Sequence, residues 1–292
     1  MPAESSASPD SHDTTITIRD LHGLEDYRAV VDLERAIWGY ADSGDLVTVP
    51  VFIITVKRGG ILVGAFDTSA RMVGFAFSIV GLKDGRPTQW SHMMGVVPEH
   101  RRTGLGRRLK LAQRDRAIAA GFDLMEWTFD PLQALNAHLN FARLGVTCDE
   151  YVENLYGDST SALHRGTPTD RFVVQWQLRE PHVERRIASR APFSIRASEA
   201  ADAPTVNQTV DEGNWRATRP GDLSMEGPRV WVEVPTGFTE MQQEVPDLAL
   251  DWRRHTREIF ETYFSRGYRA VDFELQRESG GGRYLLVSPS RG

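Results

Sequence analysis

The first part of the chain alternates between strand-like and helix-like patterns of apolar residues. Residues 14–19 alternate apolar and polar side chains, which predicts a first strand. Residues 24–38 place apolar side chains at helical spacing on or near one face, which predicts an amphipathic helix. Apolar runs at 61–66 and 72–80 flank the polar turn 67–70, and this pattern predicts a β-hairpin.

A second series of apolar segments follows the hairpin. The predicted elements are, in order, a strand at 90–97, a helix at 104–120, a strand at 124–129, a helix at 135–144 and a strand at 172–178. Gly121 and Gly145 follow the two helices, as expected for helix C-termini. This order predicts an α/β fold in which a mixed sheet has helices on both faces.

Composition divides the chain into four segments. Residues 1–13 are rich in Ser, Asp, Ala and Pro, which predicts a disordered tail. We expect one domain over 14–180, a polar and basic linker over 181–191, and a smaller C-terminal α/β domain over 192–292. The last segment repeats the element order of the second half of the first domain, with predicted elements at 230–234 (strand), 247–266 (helix), 270–275 (strand) and 284–287 (strand). It is therefore predicted to resemble half of the same fold.

Composition and charge exclude several classes of function. Hydrophobic residues make up 40% and charged residues 25% of the 292, and no apolar run approaches the ~20 residues of a membrane helix. The net charge of -6 argues against nucleic acid as a partner. The N-terminus lacks the pattern of a signal peptide, so we expect a cytoplasmic protein.

Sulfur and histidine content argue against disulfides and metal sites. Cys148 is the single cysteine, so it cannot form an intramolecular disulfide, and we interpret it as a small packed side chain. The eight histidines form no metal-ligand spacing, so we expect no metal.

The segment 98–106 has the features of an anion-binding turn. It links a predicted strand to a predicted helix and contains Gly104 and Gly106. The first N–H groups of a helix lack intrahelical partners, and the helix dipole adds a partial positive charge there. Seven basic and two acidic residues lie between 98 and 116, and we expect most of the basic ones to form a solvated helix face. The turn therefore predicts a phosphate or pyrophosphate site.

This turn resembles a family signature. Residues 101–106, Arg-Arg-Thr-Gly-Leu-Gly, match the (Arg/Gln)-x-x-Gly-x-(Gly/Ala) motif of the GNAT superfamily of N-acetyltransferases, and Val96 and Pro98 match its lead-in. The element order resembles the GNAT fold over residues 14–178. A bacterial branch with a C-terminal extension is similar at 127–132, 136–137, 144–145 and 168–172. The resemblance implies an acyl-CoA N-acyltransferase fold.

The resemblance implies a coenzyme A site in the turn, with acetyl-CoA as the default donor. Backbone N–H groups from Arg102 to Gly106 are the implied main contacts. The implied cofactor-binding residues are Val96, Val97, Arg101, Arg102, Thr103, Gly104, Leu105, Gly106, Arg107, Asn136 and Asn140. For the two asparagines, a polar helix face or a helix cap is the alternative interpretation.

His92 is the favoured general base. It lies four residues before Val96 in the strand that enters the turn, and arylalkylamine N-acetyltransferases of the superfamily have a histidine at that place. Histidine titrates near neutrality, so it can accept the proton of an ammonium group. The alternative is a structural histidine held in the sheet by a neighbour. A backbone N–H near Val96 is expected to meet the oxyanion.

The second catalytic candidate is a carboxylate, and the third is a tyrosine. Asp130 ends the predicted strand 124–129 and can hold the substrate ammonium or act as a base, or it can simply form a turn with Pro131. The family's usual general acid is a tyrosine where this chain has Phe141. Tyr151, Tyr156 or water can replace it, and Tyr156 is included among the catalytic candidates.

Arg171 is the candidate for binding a carboxylate. It precedes an apolar strand, and a guanidinium can clamp the carboxylate of an amino acid or of a dicarboxylic acyl group. The alternative is a buried ion pair between Asp170 and Arg171.

Together these features predict an N-acyltransferase that moves an acetyl group to a primary amine of a small molecule or amino acid by direct attack. One alternative is an N-succinyltransferase that acts on amino acids with succinyl-CoA, with Arg171 or Arg165 meeting the extra carboxylate. Another is a non-catalytic CoA-binding sensor or assembly protein. The C-terminal segment as a partner-binding module, and a homodimer, are compatible with all three.

Overall fold

Contacts along the chain separate two units, Met1–Asp123 (unit 1) and Leu124–Gly292 (unit 2). The computed structural model describes residues 16–39, 43–157, 167–189, 200, 202–276 and 280–289. The predicted tail at 1–13 and Arg165 lie outside the described residues.

Unit 1 is built on an antiparallel sheet of four strands. They are β1 (Thr17–Asp20), β2 (Ile61–Phe66), β3 (Met72–Lys83) and β4 (Arg86–Val96), paired in that order. The predicted hairpin is confirmed in β2 and β3, and the side chain of Asp67 accepts the amide N–H groups of Ser69 and Arg71 across its turn. The predicted strand 90–97 begins earlier, at Arg86, because β4 pairs with β3 along its whole length.

Helices cover both faces of this sheet, as predicted. They are α1 (Gly23–Trp38), α2 (Val49–Lys57) and α3 (Leu105–Ala119). On one face, Phe75 and Phe77 of β3 pack with Phe52 of α2 and with α1. Gly74 precedes Phe75 in the strand and faces α3, where an added Cβ would lie 3.2 Å from Leu109 Cδ1.

Helix α2 is an element that the apolar pattern does not predict. Its sequence, Val-Pro-Val-Phe-Ile-Ile-Thr-Val-Lys, is apolar on all sides, so it shows neither helical nor strand periodicity. Pro50 occupies the first turn, where a proline costs no hydrogen bond. Only Phe52 is buried, whereas Val51, Ile53 and Ile54 are exposed.

Six strands of unit 2 pair antiparallel to one another. They are β5 (Leu124–Phe129), β6 (Thr147–Val152), β7 (Arg171–Gln177), β10 (Arg229–Pro235), β11 (Arg269–Gln276) and β12 (Gly281–Val287), in the order β5-β7-β6-β11-β12-β10. A separate hairpin consists of β8 (Thr209–Glu212) and β9 (Trp215–Thr218). Strands β6 and β11 pair at Cys148 and Ala270, so these six strands come from both sides of residues 181–191.

Most of the predicted linker at 181–191 forms a helix. Within the described ranges, the helices of unit 2 are α4 (Ala134–Ala137), which continues as a π-helical turn (His138–Leu144), α5 (Pro181–Ala188), α6 (Phe238–Glu244) and α7 (Pro246–Ser265). The basic residues suggested a solvated linker, but Arg186 of α5 is buried and forms an ion pair with buried Asp272 at 2.9 Å. The division into domains at 14–180 and 192–292 stays a prediction.

Aromatic side chains form the centre of unit 2. The ring of Phe172 on β7 has its centroid 4.7 to 5.9 Å from five other rings, which belong to Phe129, Tyr151, Phe260, Phe264 and Tyr284. Three of these residues come from α7 and β12, so the C-terminal segment supplies half of this core. None of the helices in the described ranges has the length and apolar character that a membrane span requires.

Candidate functional site

The turn between β4 and α3 is shaped by two left-handed residues. A single 3₁₀ turn (Pro98–His100) follows β4, then Arg102 has φ 65° and Gly104 has φ 85°, and α3 begins at Leu105. A left-handed conformation suits glycine but is uncommon for arginine. Thr103 Oγ1 donates to the carbonyl of His100 at 2.8 Å and Arg101 Nε donates to the carbonyl of Val96 at 3.1 Å. The side chains of the turn therefore hold its backbone in this shape.

The turn leaves amide groups available for an anion. Residues 101–104 are exposed, and the carbonyl of Gly104 accepts the first helical bond from Arg108 N–H at 3.1 Å. The N–H groups ahead of that bond have no earlier helical carbonyl to meet. Apart from its neighbours along the chain, no described residue has an atom within 4 Å of a Cβ built on Gly104, so the space in front of it is open. These observations fit the phosphate groups of a coenzyme A molecule.

Val97 differs from the other predicted cofactor residues. Its N–H donates to the carbonyl of Val73 at 3.0 Å, and its own carbonyl accepts the N–H of His100 at 3.0 Å. Both backbone groups are thus used inside unit 1, which leaves Val97 poorly suited to hold a cofactor through its backbone.

The predicted solvated face does not include all of the seven basic residues. Lys110 and Arg114 on α3 are buried, and the Lys110 ammonium donates to Ser91 Oγ at 2.7 Å. Burial lowers the pKa of Lys110 to about 7. Arg108 donates to the carbonyl of Ile16 at 2.7 Å, and Arg116 pairs with Asp20 of β1. Of the seven, Arg101 and Arg102 are exposed beside the turn.

His92 lies in a β-bulge. Strands β3 and β4 pair Phe77 with Met93 and then Ser78 with Ser91, so His92 is the extra residue between two pairs. Bulges re-aim side chains and occur often beside active sites. The imidazole meets the edge of Phe77, with 6.2 Å between ring centroids. Desolvation lowers the pKa of His92, although the residue is exposed, and a lowered pKa favours the neutral ring that can accept a proton.

Asp130 in unit 2 is held in a bidentate ion pair. Its two oxygens accept hydrogen bonds from Arg253 of α7 at 2.8 and 2.6 Å, and Oδ1 also accepts Leu132 N–H at 2.9 Å. Burial would raise the pKa of Asp130, but the charge and hydrogen bonds of Arg253 and the charge of Arg171 hold it below its usual value. A carboxylate so stabilised is a weak base, which favours the turn-forming interpretation.

The predicted ion pair between Asp170 and Arg171 is wrong. Asp170 pairs instead with Arg257 of α7, at 2.9 and 3.0 Å, and accepts the hydroxyl of Tyr151 at 2.5 Å. Arg171 donates to the backbone carbonyl of Asp170 at 2.9 Å. Adjacent residues at the start of a strand point in opposite directions, and Arg257 reaches the carboxylate of Asp170 from α7.

Tyr156 and Arg171 lie together in unit 2. The Tyr156 hydroxyl is hydrogen-bonded to Thr128 Oγ1 on β5 at 2.9 Å, and its amide donates to Thr169 Oγ1. The Arg171 guanidinium lies 5.3 Å from the centroid of the Tyr156 ring. Arg171 is buried, and burial lowers its pKa, whereas Tyr156 is 49% exposed. The hydroxyl is therefore held at the end of a strand and is accessible.

The remaining predicted residues of unit 2 separate into exposed and buried positions. Asn136 is exposed, whereas Asn140 is 4% exposed and lies inside the π-helical turn. Phe141 is fully buried, 5.5 Å from the Tyr284 ring, so this position faces the aromatic core. Cys148 is buried and burial raises its thiol pKa well above the usual value, which suits a packed side chain rather than a nucleophile.

Glu34 is a candidate that the sequence interpretation does not include. It is fully buried on α1, where Oε2 accepts Val47 N–H at 3.2 Å and Oε1 has no hydrogen-bond partner among the described residues. Burial raises the pKa of Glu34 to about 7, against the opposing effects of Val47 N–H and Arg35. The sequence does contain a signal for Glu34, because this carboxylate lies within the apolar face of α1, four residues after Val30 and three before Ile37.

No family model matches the chain, and no curated protein matches it. Among solved structures, it is similar to the ribosomal-protein-S18-alanine N-acetyltransferase from Escherichia coli, at 18% identity over 56% of this chain and 94% of that chain, with a TM-score of 0.43. A GNAT superfamily phosphinothricin acetyltransferase from Sinorhizobium meliloti, in complex with acetyl-CoA, is similar at 19% identity over 56% and 88%, with a TM-score of 0.44. An acetyltransferase of the GNAT family from Streptococcus pneumoniae is similar at 15% identity over 55% and 98%, with a TM-score of 0.45.

Removing the partner of Asp130 is expected to destabilise the protein. Arg253→Met leaves a carboxylate without its buried counter-ion, which costs about 3–5 kcal/mol of the free energy of unfolding. Arg254→Met is the matched control, because Arg254 is the next residue of α7 and its side chain is 71% exposed. The control is expected to change stability by about 0.5 kcal/mol or less. Urea unfolding measures the free energy of unfolding of both variants. An equal loss in Arg253→Met and Arg254→Met would contradict the assignment of a buried ion pair.

The raised pKa of Glu34 makes stability depend on pH. The folded state holds the Glu34 proton up to about pH 7, whereas the unfolded chain loses it near pH 4.5, the ordinary pKa of a glutamate. The contribution of the protonated Glu34 carboxyl to the free energy of unfolding is therefore complete below the pKa that Glu34 has in the unfolded chain. This contribution is lost as the pH rises through the pKa of Glu34 in the folded state. Relative to Glu34→Gln, the wild type is expected to lose about 3 kcal/mol between pH 4.5 and 8. Urea unfolding measures the free energy of unfolding of the two proteins at each pH. If this free energy changed equally with pH in both, the burial of an isolated carboxyl would be contradicted.

Proposed function

We propose that the chain is an acyl-CoA-dependent N-acyltransferase that acetylates a primary amine of a small molecule or amino acid. The observation that supports this most directly is the turn 101–106. It has left-handed backbone at Arg102 and Gly104, open space in front of Gly104, and the first amides of α3 behind it. This arrangement suits the pyrophosphate of coenzyme A.

In this proposal, the cofactor is held mainly by the backbone of the turn. The amides of Thr103 to Gly106 would meet phosphate oxygens, and the exposed guanidinium groups of Arg101 and Arg102 would add charge. When bound, acetyl-CoA supplies an acetyl group activated as a thioester. The role of Arg107, Asn136 and Asn140 in holding it stays a prediction.

His92 has the protonation state that a general base needs. Its neutral ring can take a proton from an ammonium group at a ring nitrogen, directly or through one water, and so free the amine lone pair. The bulge lies on β4, the strand that runs into the cofactor turn, and it fixes the imidazole of His92 beside Phe77 of β3. A backbone N–H near Val96 is proposed to stabilise the carbonyl oxygen as negative charge develops on it.

The residues of unit 2 have roles that stay predictions. Tyr156 offers an accessible hydroxyl that can donate a proton, and Arg171 offers a guanidinium for a carboxylate. Asp130 is a weaker candidate because Arg253 neutralises it. A cytoplasmic location is part of the proposal, since a single buried cysteine needs no oxidising compartment.

Changing Gly104 is expected to weaken cofactor binding specifically. Alanine at Gly104 disfavours the left-handed backbone and places a methyl group in the open space of the turn. Gly104→Ala is therefore expected to lose most of the rise in Tm that coenzyme A gives the wild type. Gly121→Ala is the matched control, because Gly121 has φ 87° and equally open surroundings at the other end of α3.

The same thermal shifts separate the alternatives. Equal loss of the Tm rise in both variants, or no rise with coenzyme A, acetyl-CoA or succinyl-CoA in the wild type, would contradict a cofactor site in the turn. A larger rise with succinyl-CoA would favour the succinyltransferase alternative. A rise in Tm with coenzyme A, without turnover of any amine, would favour a non-catalytic CoA-binding protein.

Removing the imidazole of His92 is expected to impair catalysis without impairing cofactor binding. His92→Ala should lower kcat by about 10²–10⁴-fold, which is the usual effect of losing a general base. His22→Ala is the control, since His22 is an exposed histidine of unit 1. Thiol release from acetyl-CoA in the presence of an amine panel measures kcat. An unchanged pH profile in His92→Ala would remove His92 from the mechanism.

A further inference from the structure

Helix α7 of unit 2 lines a cavity with one of its faces. Most of the lining residues recur along α7 at helical spacing, which places them on the same side of the helix. The cavity has a volume of about 260 Å³ and is open to solvent, so a small molecule has both room and access there. The residues that line it are Pro168, Leu250, Asp251, Arg253, Arg254 and Arg257.

Three guanidinium groups line this α7 cavity at different depths. The side chain of Arg253 is 2% exposed, that of Arg257 is 21% exposed and that of Arg254 is 71% exposed. Arg253 therefore forms the floor of the cavity, and the other two lie nearer to solvent. Arginine stays charged at any pH at which the protein is folded, and it only donates hydrogen bonds. The chemistry of the lining therefore favours an anion.

Largely buried carboxylates position two of these guanidinium groups from outside the cavity lining. Asp130 accepts two hydrogen bonds from Arg253, and Asp170 accepts two from Arg257, at 2.9 and 3.0 Å. A guanidinium has more N–H groups than one carboxylate can accept, so both arginines keep further donors. The Nε atom of Arg253 has no hydrogen-bond partner among the described residues. These donors are held in place before any ligand arrives.

The remaining carboxylates at the cavity are exposed and can be exchanged. Arg254 pairs with Asp251, which is half-exposed and lies three residues earlier on α7, at 2.8 Å. Arg257 also contacts the exposed carboxylate of Glu153. Ion pairs at the surface contribute little stability, because water competes for both partners. A carboxylate from outside can therefore replace Asp251 or Glu153 at these guanidinium groups at little cost.

The lining also indicates the shape of the ligand. A guanidinium group matches the planar fork of a carboxylate, with which it forms two parallel hydrogen bonds. One singly charged group is enough, because it takes the place of one carboxylate of the protein. Leu250 and Pro168 supply the apolar part of the lining, which suits a hydrocarbon body.

We propose that the α7 cavity binds a small molecule that carries a carboxylate on an apolar body. The carboxylate binds Arg254 and Arg257 in place of Asp251 and Glu153, and Leu250 contacts the apolar body. The proposal does not depend on the proposed function, because no residue of the cavity lining belongs to the candidate cofactor or catalytic residues.

Calorimetric titration at pH 7 tests the ligand class. The probes are 4-methylpentanoate, the neutral 4-methylpentanamide of nearly the same shape, and inorganic phosphate. The wild type is expected to bind the carboxylate about tenfold tighter than the amide, the range for a hydrogen bond to a charged group. Phosphate, which lacks the apolar body, is expected to bind more weakly than the carboxylate.

Variants of the exposed ion pair test the position of the site. Arg254→Met is expected to weaken carboxylate binding about tenfold, whereas Asp251→Asn is expected to strengthen it several-fold because the competing carboxylate is gone. A gain in affinity cannot come from a damaged fold. Arg35→Met and Asp32→Asn are the matched controls, because this pair on α1 has the same spacing and is exposed. Both controls are expected to bind the carboxylate as the wild type does.

A measurement on the wild type completes the test without any variant. The side-chain Nε–H NMR signals of Arg254 and Arg257 are expected to shift with 4-methylpentanoate and not with 4-methylpentanamide. Equal affinity for the carboxylate and the amide, tighter binding of phosphate, or carboxylate binding unchanged in Arg254→Met or in Asp251→Asn would overturn the proposal. Unshifted arginine signals at saturating carboxylate would overturn it as well.

Discussion

The left-handed backbone at Arg102 and Gly104 is the constraint on which the turn 101–106 depends. Pairing with β3 fixes β4 up to Val96, and both backbone groups of Val97 are used inside unit 1. Leu105 and Leu109 anchor α3 in the core, so the start of the helix is fixed as well. The few residues between these two anchors must reverse direction while their amides stay uncovered, which right-handed residues alone do not achieve.

Unit 2 depends on a different interaction, the pairing of carboxylates with arginines from α7. Arg253 neutralises Asp130, and Arg257 neutralises Asp170, so both loops that hold predicted substrate residues are fixed by one C-terminal helix. Phe260 and Phe264 of the same helix pack on Phe172. The segment from residue 192 onward is therefore structurally required by these loops. Its deletion would remove the partners of both aspartates, whatever further partner it binds.

The sequence predicts those parts of the fold and site that are determined locally. The strand Leu124–Phe129 and the hairpin around Asp67 follow from alternation and turn residues, and the cofactor turn follows from its two glycines. The partner of Asp170 could not be predicted, because Arg257 lies 87 residues away and is brought close only by packing. Helix α2 lacks any periodicity, and the buried state of Lys110 depends on the sheet beneath α3. Glu34 could be identified from the sequence, because it interrupts the apolar face of α1.

The most direct test of the cofactor turn is residue-specific NMR of the backbone amides during titration with coenzyme A. Binding of the pyrophosphate by backbone N–H groups predicts that the largest changes occur at Thr103, Gly104, Leu105 and Gly106. Amides of the turn around Asp67, which also lies in unit 1, are expected to stay unchanged. Shifts spread over the surface arginines with none at these four amides, or no shifts at saturating coenzyme A, would contradict the account.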